Sequence, residues 1–324
     1  MPLTLDEIRK PIEKEIKVFE EKFKQSMRSS TPLLDRITHY IVKRKGKQIR
    51  PMFVFFAANV CGGINESTYR GAALVELLHT ASLVHDDVVD DAYERRGMFS
   101  INALWKNKIA VLVGDFLLAK GLLLSVENND HNLLKIVSDA VKQMSEGELL
   151  QIEKVRKLDI DEQIYYDVIR QKTASLIASC CACGAASAGG NEELIQRMKL
   201  FGEHVGMAFQ IKDDLLDFSD ENTGKQKGID IKEKKITLPL IFAMKKVDKK
   251  RKSYIAGLIK NHSNNSEKVK EVIEFVKENG GLEYAAKKMM EFQEKAFGLL
   301  DQLEESPSKT SLKQLVLFTT DRKF

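Results

Sequence analysis

Several features that mark other classes of protein are scarce or missing in this 324-residue sequence. Six Pro and 19 Gly over that length leave little room for a low-complexity linker. The net charge of +4 is too balanced to indicate a nucleic-acid-binding protein. Charges interrupt the apolar stretches before they reach about 18 residues, and charges also run through the N-terminus. We therefore expect a cytoplasmic protein with neither a transmembrane helix nor a signal peptide.

Cysteine is also scarce, and its placement does not indicate a metal site. Of the four cysteines, Cys180, Cys181 and Cys183 lie together in a run of small residues with no histidine nearby, and Cys61 lies apart. Buried small residues of a helix explain this run better than a metal centre does. A disulfide framework is not expected in a cytoplasmic protein.

Alternation of apolar and polar residues, the pattern that predicts a half-buried β-strand, is not found with turn signals in any stretch. Helical periodicity runs through the chain instead, and 43% hydrophobic residues are ample for a large core. We predict an all-α fold with about a dozen helices in one bundle around a central cavity. We expect a single domain over residues 1–324.

The most informative stretch is an aspartate cluster that follows a long apolar helical run. Asp86, Asp87 and Asp90 have the spacing i, i+1 and i+4, so a helix places Asp86 and Asp90 one turn apart. Carboxylates this close raise each other's pKa unless a cation neutralises them. They suit Mg²⁺, which combines carboxylates with waters and substrate phosphates.

A second aspartate cluster repeats this spacing at the end of another apolar helical run, with Asp213, Asp214 and Asp217 in FQIKDDLLD. One such cluster is a weak signal, because acidic helix ends are usually only solvated. Two copies predict two helices that face each other, with metal ions and a diphosphate group between their carboxylates.

The two clusters resemble the first and second aspartate-rich motifs of the trans-isoprenyl diphosphate synthases, also called polyprenyl synthetases. The resemblance covers nearly the whole chain and includes other blocks in the family's order, namely GKQIRP at 46–51, Arg95–Arg96, Lys172–Thr173–Ala174, GKQKGID at 224–230 and KITLP at 235–239. It implies a homodimer with the isoprenoid synthase fold that condenses isopentenyl diphosphate with an allylic diphosphate such as farnesyl diphosphate. It also implies about three Mg²⁺ ions per active site.

The same resemblance implies a role for individual residues. The metal ligands and catalytic carboxylates are Asp86, Asp87, Asp90, Asp213, Asp214 and Asp217. The residues expected to bind isopentenyl diphosphate are Lys47, Arg50, His79 and Arg96. Those expected to bind the allylic diphosphate are Arg95, Lys172 (also expected to be catalytic) and Lys225, with Lys235, Thr173 and Gln210 as further substrate-binding residues.

The sequence departs from the family pattern in loops. Lys45 replaces a Gly and Gln48 an Arg in the first basic block. The family's Gly-x-Pro-Thr is Gly-Met-Phe-Ser at 97–100, and Lys234 stands where the family usually has Gly. These changes affect the expected loop geometry rather than the basic ligands.

The length of the product is partly predictable from the residues below the first cluster. Ala81 and Ser82 lie five and four residues before Asp86. In the family, a Phe or Tyr there closes the cavity and gives short products. Both residues are small here, and the first motif has only two residues between its Asp pairs, as in long-chain synthases. We expect a product longer than C20, of the octaprenyl type, that feeds a quinone side chain.

Other functions stay open at this point. A shorter-chain farnesyl or geranylgeranyl diphosphate synthase shares the motifs, and a terpene cyclase shares one aspartate motif. The doublet His85–Asp86 is a feature of HD-type phosphohydrolases. A catalytically silent subunit of a heteromeric synthase is a non-enzyme alternative. The segment EGELLQ at 146–151 carries acids but no assigned role.

Overall fold

The computed structural model describes residues 4–43, 46–95, 97–157, 161–218 and 228–320, without the side chains of 155–157. Two of the predicted substrate ligands, Arg96 and Lys225, lie outside the described residues, as does the substituted position Lys45. All the other predicted site residues are described.

Helices account for nearly all of the described chain, so the prediction of an all-α fold is confirmed. The helices of the first half are α1 Leu5–Arg9, α2 Glu13–Ser26, α3 Pro32–Lys43, α4 Ile49–Cys61, α5 Glu66–Val89, α6 Ile101–Glu127 and α7 His131–Lys157, with a 3₁₀ turn at Lys10–Ile12. Those of the second half are α8 Glu162–Ile169, α9 Ser175–Ser187, α10 Glu192–Asp217, α11 Ile229–Lys232, α12 Leu238–Lys245, α13 Lys249–His262, α14 Ser266–Glu278, α15 Gly281–Leu300 and α16 Pro307–Thr320. Between α8 and α9 the chain forms a π-helical turn, Arg170–Ala174. The strands of the described residues are a short antiparallel hairpin, β1 Glu94–Arg95 and β2 Met98–Phe99.

Helix α5 is central and ends at the first aspartate cluster. Asn65 caps its N-terminus, where its side chain accepts a hydrogen bond from the backbone N–H of Thr68. The helix packs against α4, α6 and α9, and its apolar residues, such as Leu74 and Leu78, are buried in the core. Asp90 is the C-cap, so the acids lie where α5 leaves the core.

Helix α10 carries the second cluster and approaches the π-helical turn unusually closely. A Cβ atom at Gly206 would lie 2.4 Å from Ala174 Cα, so only glycine allows this contact. The close packing fixes the turn that contains Lys172 and Thr173 against the helix that ends at the second cluster.

The sequence-based expectation that no helix could span a membrane needs correction at α6. Although Asp115 and Lys120 interrupt it, α6 is long and apolar enough, by mean hydropathy, to cross a membrane. This is weak evidence for a span, because long helices of bundles pass the same test. Helix α6 packs along α5 and also against α7 and α3, and it leaves several large apolar side chains exposed.

Residue Lys106 interrupts the helical geometry near the start of α6. Its backbone angles, φ 72° and ψ 158°, are those that glycine adopts most readily. Lys234 is also left-handed, with φ 61°, at the position where the family pattern has Gly. In both places the chain keeps a glycine-like backbone shape without glycine.

Candidate active site

The first aspartate cluster contains acids in two different environments. Asp86 and Asp90 are exposed at the end of α5, whereas Asp87 is only 2% exposed. Partial burial raises the pKa of Asp86, and the charges of Glu148 and Asp90 raise it further, against the opposing effect of Lys172 and Arg95. A bound cation would favour the charged form of such closely spaced carboxylates.

Asp87 points into the protein and forms an ion pair with the hairpin that follows α5. Arg95 Nε donates to Asp87 Oδ1 at 2.6 Å. The backbone carbonyl of Asp87 accepts a hydrogen bond from Asn102 Nδ2 at 3.1 Å, which attaches the start of α6 to the same point. Asp87 thus fixes the position of Arg95 beside the exposed acids.

Lys172 extends from the π-helical turn toward α7 and the first cluster. Its ammonium group forms an ion pair with Glu148 and donates to Gln151 Oε1 at 3.3 Å. Helix α7 comes close because of Gly147, where a Cβ atom would lie 2.8 Å from the backbone nitrogen of Lys172. Glu148 and Gln151 belong to the EGELLQ segment, and they hold the lysine near Asp86.

The second cluster also contains acids in different environments. Asp214 is 4% exposed, and burial raises its pKa to about 7. Both its carboxylate oxygens accept hydrogen bonds, Oδ2 from the Tyr165 hydroxyl at 2.6 Å and Oδ1 from Gln210 Nε2 at 2.9 Å. Asp213, in contrast, is half-buried.

Asp217 is the last acid of the second cluster, and its side chain binds the N-terminus of the next helix, α11. It accepts hydrogen bonds from the backbone N–H groups of Ile229 at 2.9 Å and Asp230 at 3.2 Å. Burial, together with the charge of Asp230, raises the pKa of Asp217 to about 6. Lys235 Nζ lies 3.6 Å from Asp230 Oδ1. A lysine and a fourth acid, Asp230, therefore border the second cluster.

The π-helical turn connects the two clusters. Lys172 is close enough to Asp86 to lower its pKa. The neighbouring Thr173 donates to Gln210 Oε1 at 2.8 Å, and Gln210 donates in turn to Asp214. Two adjacent residues, Lys172 and Thr173, therefore contact the surroundings of both acid clusters, and an anion near these carboxylates would need cations to accompany it.

Of the residues predicted to bind isopentenyl diphosphate, those that the structure describes lie on α4, α5 and the loop before α4. Arg50, in the first turn of α4, donates from Nε to Glu76 Oε1 of α5 at 2.9 Å. Lys47 lies over the ring of Phe318, with its Nζ 5.5 Å from the ring centroid. His79 is half-buried on α5, two turns before Asp86.

The residues predicted to set product length differ in burial. Ala81 is fully buried in an apolar cluster with Leu77 and Leu117. Ser82 is half-buried, and its hydroxyl donates to the carbonyl of Leu78 at 3.1 Å. Ser82 lies one turn before Asp86 and therefore on its side of the helix.

Sequence reasoning missed several side chains that position the predicted ligands, namely Glu76, Glu148, Gln151, Tyr165 and Asp230. The acids of EGELLQ have no partner nearby in the sequence, so the sequence gives them no role. Asp230 lies in the GKQKGID block, where the family resemblance assigns a role to Lys225 alone. Tyr165 carries no signal, since a tyrosine in an apolar run looks like a core residue.

The donor set suits Mg²⁺ that is shared with a substrate. Hard carboxylate oxygens are its usual protein ligands, and it keeps waters and phosphate oxygens as its other ligands. Within the part of the chain that the structure describes, no three acidic, histidine or cysteine side chains converge tightly enough to hold an ion alone. An ion here would depend on diphosphate and water to complete its coordination.

Comparisons with known proteins give one consistent result. The profile of the family described as "Polyprenyl synthetase" matches residues 31–276. The chain is 36% identical, over 98% of its length and 97% of the relative's, to an all-trans-nonaprenyl-diphosphate synthase (geranyl-diphosphate specific) from Rhodobacter capsulatus. It is 35% identical to the octaprenyl diphosphate synthase of Escherichia coli, over 89% of this chain and 90% of that one.

Solved structures agree with these relatives. A decaprenyl diphosphate synthase from Rhodobacter capsulatus superposes with a TM-score of 0.92 at 30% identity, covering 98% of this chain and 99% of that one. A geranylgeranyl pyrophosphate synthase from Bacteroides thetaiotaomicron superposes with a TM-score of 0.83 at 37% identity, covering 97% and 98%. The fold is therefore shared by proteins named for products of different lengths.

Proposed function

Because this chain belongs to the polyprenyl synthetase family, we infer that it is a trans-polyprenyl diphosphate synthase, a prenyltransferase that condenses isopentenyl diphosphate with an allylic diphosphate. One observation supports this function best. The adjacent residues Lys172 and Thr173 connect the surroundings of both aspartate clusters, which supports a site for a metal-bound diphosphate between them.

We propose that Asp86, Asp90 and Asp213 bind Mg²⁺ together with the allylic diphosphate, as expected for the family. When bound, Mg²⁺ would neutralise the charge that develops on the departing diphosphate. Lys172 and Arg95 add positive charge at the same place, and Lys225 is proposed to do so as well. The bond between the allylic carbon and the diphosphate oxygen breaks, and the electron pair leaves with the diphosphate.

The second substrate is proposed to bind next to this group. Lys47, Arg50, His79 and Arg96 hold the diphosphate of isopentenyl diphosphate through charge-assisted hydrogen bonds. Its double bond attacks the allylic cation, and a new carbon–carbon bond forms. A proton then leaves the isopentenyl unit, and we propose that the released diphosphate accepts it.

We further propose a product longer than C20, of the octaprenyl type. Two features support this proposal, the small residues Ala81 and Ser82 below the first cluster, and the names of curated relatives that make nonaprenyl and octaprenyl diphosphate. A quinone side chain is the use we propose for such a product. The allylic primer is proposed to be farnesyl diphosphate or a similar compound.

We also propose that the chain acts as a single cytoplasmic domain and forms a homodimer through α6. Leu112 and Leu123 of α6 are 55% and 51% exposed, and a second copy of the same helix could cover them. Light scattering of the purified protein tests this proposal. A variant with Leu112→Lys and Leu123→Lys should be monomeric where the unaltered protein is dimeric, and equal masses for the two would exclude this interface.

The reaction is tested by incubating purified protein with labelled isopentenyl diphosphate, farnesyl diphosphate and Mg²⁺, followed by chromatography of the dephosphorylated products. A ladder that ends well above C20 would support both the reaction and the product length. Products no longer than C20 would exclude the long-chain proposal alone, and phosphate release without elongation would exclude the synthase.

A further inference from the structure

Tyr165 is a buried tyrosine whose hydroxyl contacts the second aspartate cluster. It lies on α8, is 4% exposed, and donates to Asp214 Oδ2 at 2.6 Å. The hydroxyl is therefore directed at the carboxyl of Asp214 in the protein interior and not at solvent.

This hydrogen bond is the first of a row of three. Asp214 Oδ1 accepts from Gln210 Nε2 at 2.9 Å, and Gln210 Oε1 accepts from the Thr173 hydroxyl at 2.8 Å. Tyr165 and Thr173 come from the helical segment on either side of the start of the π-helical turn, whereas Gln210 and Asp214 lie one turn apart on α10. The row therefore attaches both α8, through Tyr165, and the π-helical turn, through Thr173, to α10.

The row also determines what Asp214 can do. Both its oxygens are engaged by protein donors and the residue is buried, so it is poorly placed to contact a metal ion or a substrate. Its neighbour Asp213 is half-buried and precedes it directly. Fixing the Asp214 side chain consequently fixes the backbone from which Asp213 projects.

We propose that Tyr165 is a positioning residue that, through Asp214 and Gln210, sets the placement of Asp213 relative to Lys172 and Thr173. This inference rests on the proposed function, because it assumes that these groups bind a metal-bound diphosphate. It adds to that function a residue that touches neither substrate. Removing a residue that orients a metal ligand, without itself touching the metal, typically lowers metal affinity or activity about 10–100-fold.

The test uses Tyr165→Phe, which removes the hydroxyl and keeps the ring. The matched control is Tyr166→Phe at the next residue, where the hydroxyl donates to Glu162 at 3.2 Å and takes no part in the row. Each full-length variant is compared with the unaltered protein in elongation kinetics at varied Mg²⁺. Calorimetry of Mg²⁺ with inorganic diphosphate gives a second measurement that needs no turnover.

For Tyr165→Phe we expect kcat to fall about tenfold and the Mg²⁺ concentration for half-maximal rate to rise about fivefold. Calorimetry should show a similar weakening of Mg²⁺–diphosphate binding. The KM for isopentenyl diphosphate should change less than about twofold, because Arg50 and Lys47 lie on other elements. Tyr166→Phe should leave all of these values within about twofold of the unaltered protein.

A purely structural role predicts a different pattern. Tyr165→Phe would then lower the melting temperature while kcat, Mg²⁺ dependence and diphosphate binding stayed unchanged, and that result would overturn the inference. A double-mutant cycle with Thr173→Val gives a further check, since effects through one row are non-additive. If the unaltered protein elongates no substrate, the proposed function fails; if it elongates normally and Tyr165→Phe matches it, only this inference fails.

Discussion

Arg95 Nε lies 2.6 Å from Asp87 Oδ1, and this ion pair divides the acids of the first cluster into two kinds. Asp87 is buried and occupied by a cation from its own chain, whereas Asp86 and Asp90 are exposed. The sequence spacing assigns the three acids one common role. The structure gives Asp87 the task of holding an arginine beside the other two.

Asp87→Asn should therefore affect the allylic substrate more than the metal. The amide keeps the shape of the carboxyl but loses the charge that holds Arg95, so we expect the KM for farnesyl diphosphate to rise about 5–30-fold. Asp86→Asn should instead raise the Mg²⁺ concentration needed for activity. Steady-state kinetics at varied farnesyl diphosphate and at varied Mg²⁺ distinguishes the two effects. Identical profiles for the two variants would contradict the division of roles.

Gly114 of α6 is a contact point for the residue next to Asp86. A Cβ atom there would lie 2.1 Å from His85 Nε2, a nitrogen that lies 3.2 Å from the carbonyl oxygen of Val111. Gly114→Ala should displace the His85 ring, lower the free energy of unfolding by about 1–3 kcal/mol and reduce kcat/KM. Denaturant unfolding and kinetics measure the two effects.

The control for this substitution is Gly298→Ala in α15, where an added Cβ meets nothing within 4 Å. The same change there should be neutral or stabilise the protein by about 0.5–1 kcal/mol, because alanine favours the helix. Equal changes in unfolding free energy and kcat/KM for the two variants would show that the position of the His85 ring does not depend on Gly114.

Asp214 makes stability depend on pH when Mg²⁺ is removed. Its pKa is about 7 in the folded protein, chiefly because of burial, against an ordinary value of 3.8. Between these values the folded protein retains a proton that the unfolded chain releases, so this contribution to stability is complete at low pH and is lost as the pH rises through about 7. In EDTA, the free energy of unfolding of the unaltered protein should fall by about 2 kcal/mol more between pH 5 and 7.5 than that of Asp214→Asn. Urea unfolding at the two pH values gives this difference; parallel losses in the two proteins would assign the pH dependence to other groups.

The helices were predictable because local patterns determine them, but the division of roles was not. Periodicity predicts both clusters at helix ends, and the structure has them at the ends of α5 and α10. Spacing on one helix cannot show which neighbour a side chain meets. Asp87 pairs with Arg95 in the hairpin that follows α5, and Asp214 pairs with Tyr165 on α8, and only the folded structure brings each pair together.

The α6 helix shows a limit of predicting membrane spans from the positions of charged residues. Charged residues within it suggested that no helix could span a membrane, yet the helix qualifies by mean hydropathy. A helix that packs on α5 and leaves apolar residues exposed gives the same composition as a membrane span. Only its packing within a bundle fold distinguishes the two.

Lys106 should be replaceable by glycine with a gain in stability. Its backbone, at φ 72° and ψ 158°, lies in a region that costs a side chain of order 1–3 kcal/mol. Lys106→Gly should raise the free energy of unfolding by about 1 kcal/mol, whereas Lys108→Gly, in the helical and exposed turn that follows, should lower it by a similar amount. A loss of stability in both variants would mean that the backbone at Lys106 carries no such strain.

Ser82→Phe should shorten the product. Ser82 lies one turn before Asp86 on the same side of α5, so a phenyl ring there would block a prenyl chain that grows away from the acids. Ala81→Phe is predicted to shorten the product too, but Ala81 is fully buried beside Leu117, so this variant should also lose stability.

Chromatography of dephosphorylated products, with the melting temperature measured alongside, tests both. Ser82→Thr is the control, because it keeps the hydroxyl and adds only a methyl group. Products of unaltered length from a folded Ser82→Phe enzyme would place the growing chain elsewhere, and the long-chain prediction would then lose its structural basis.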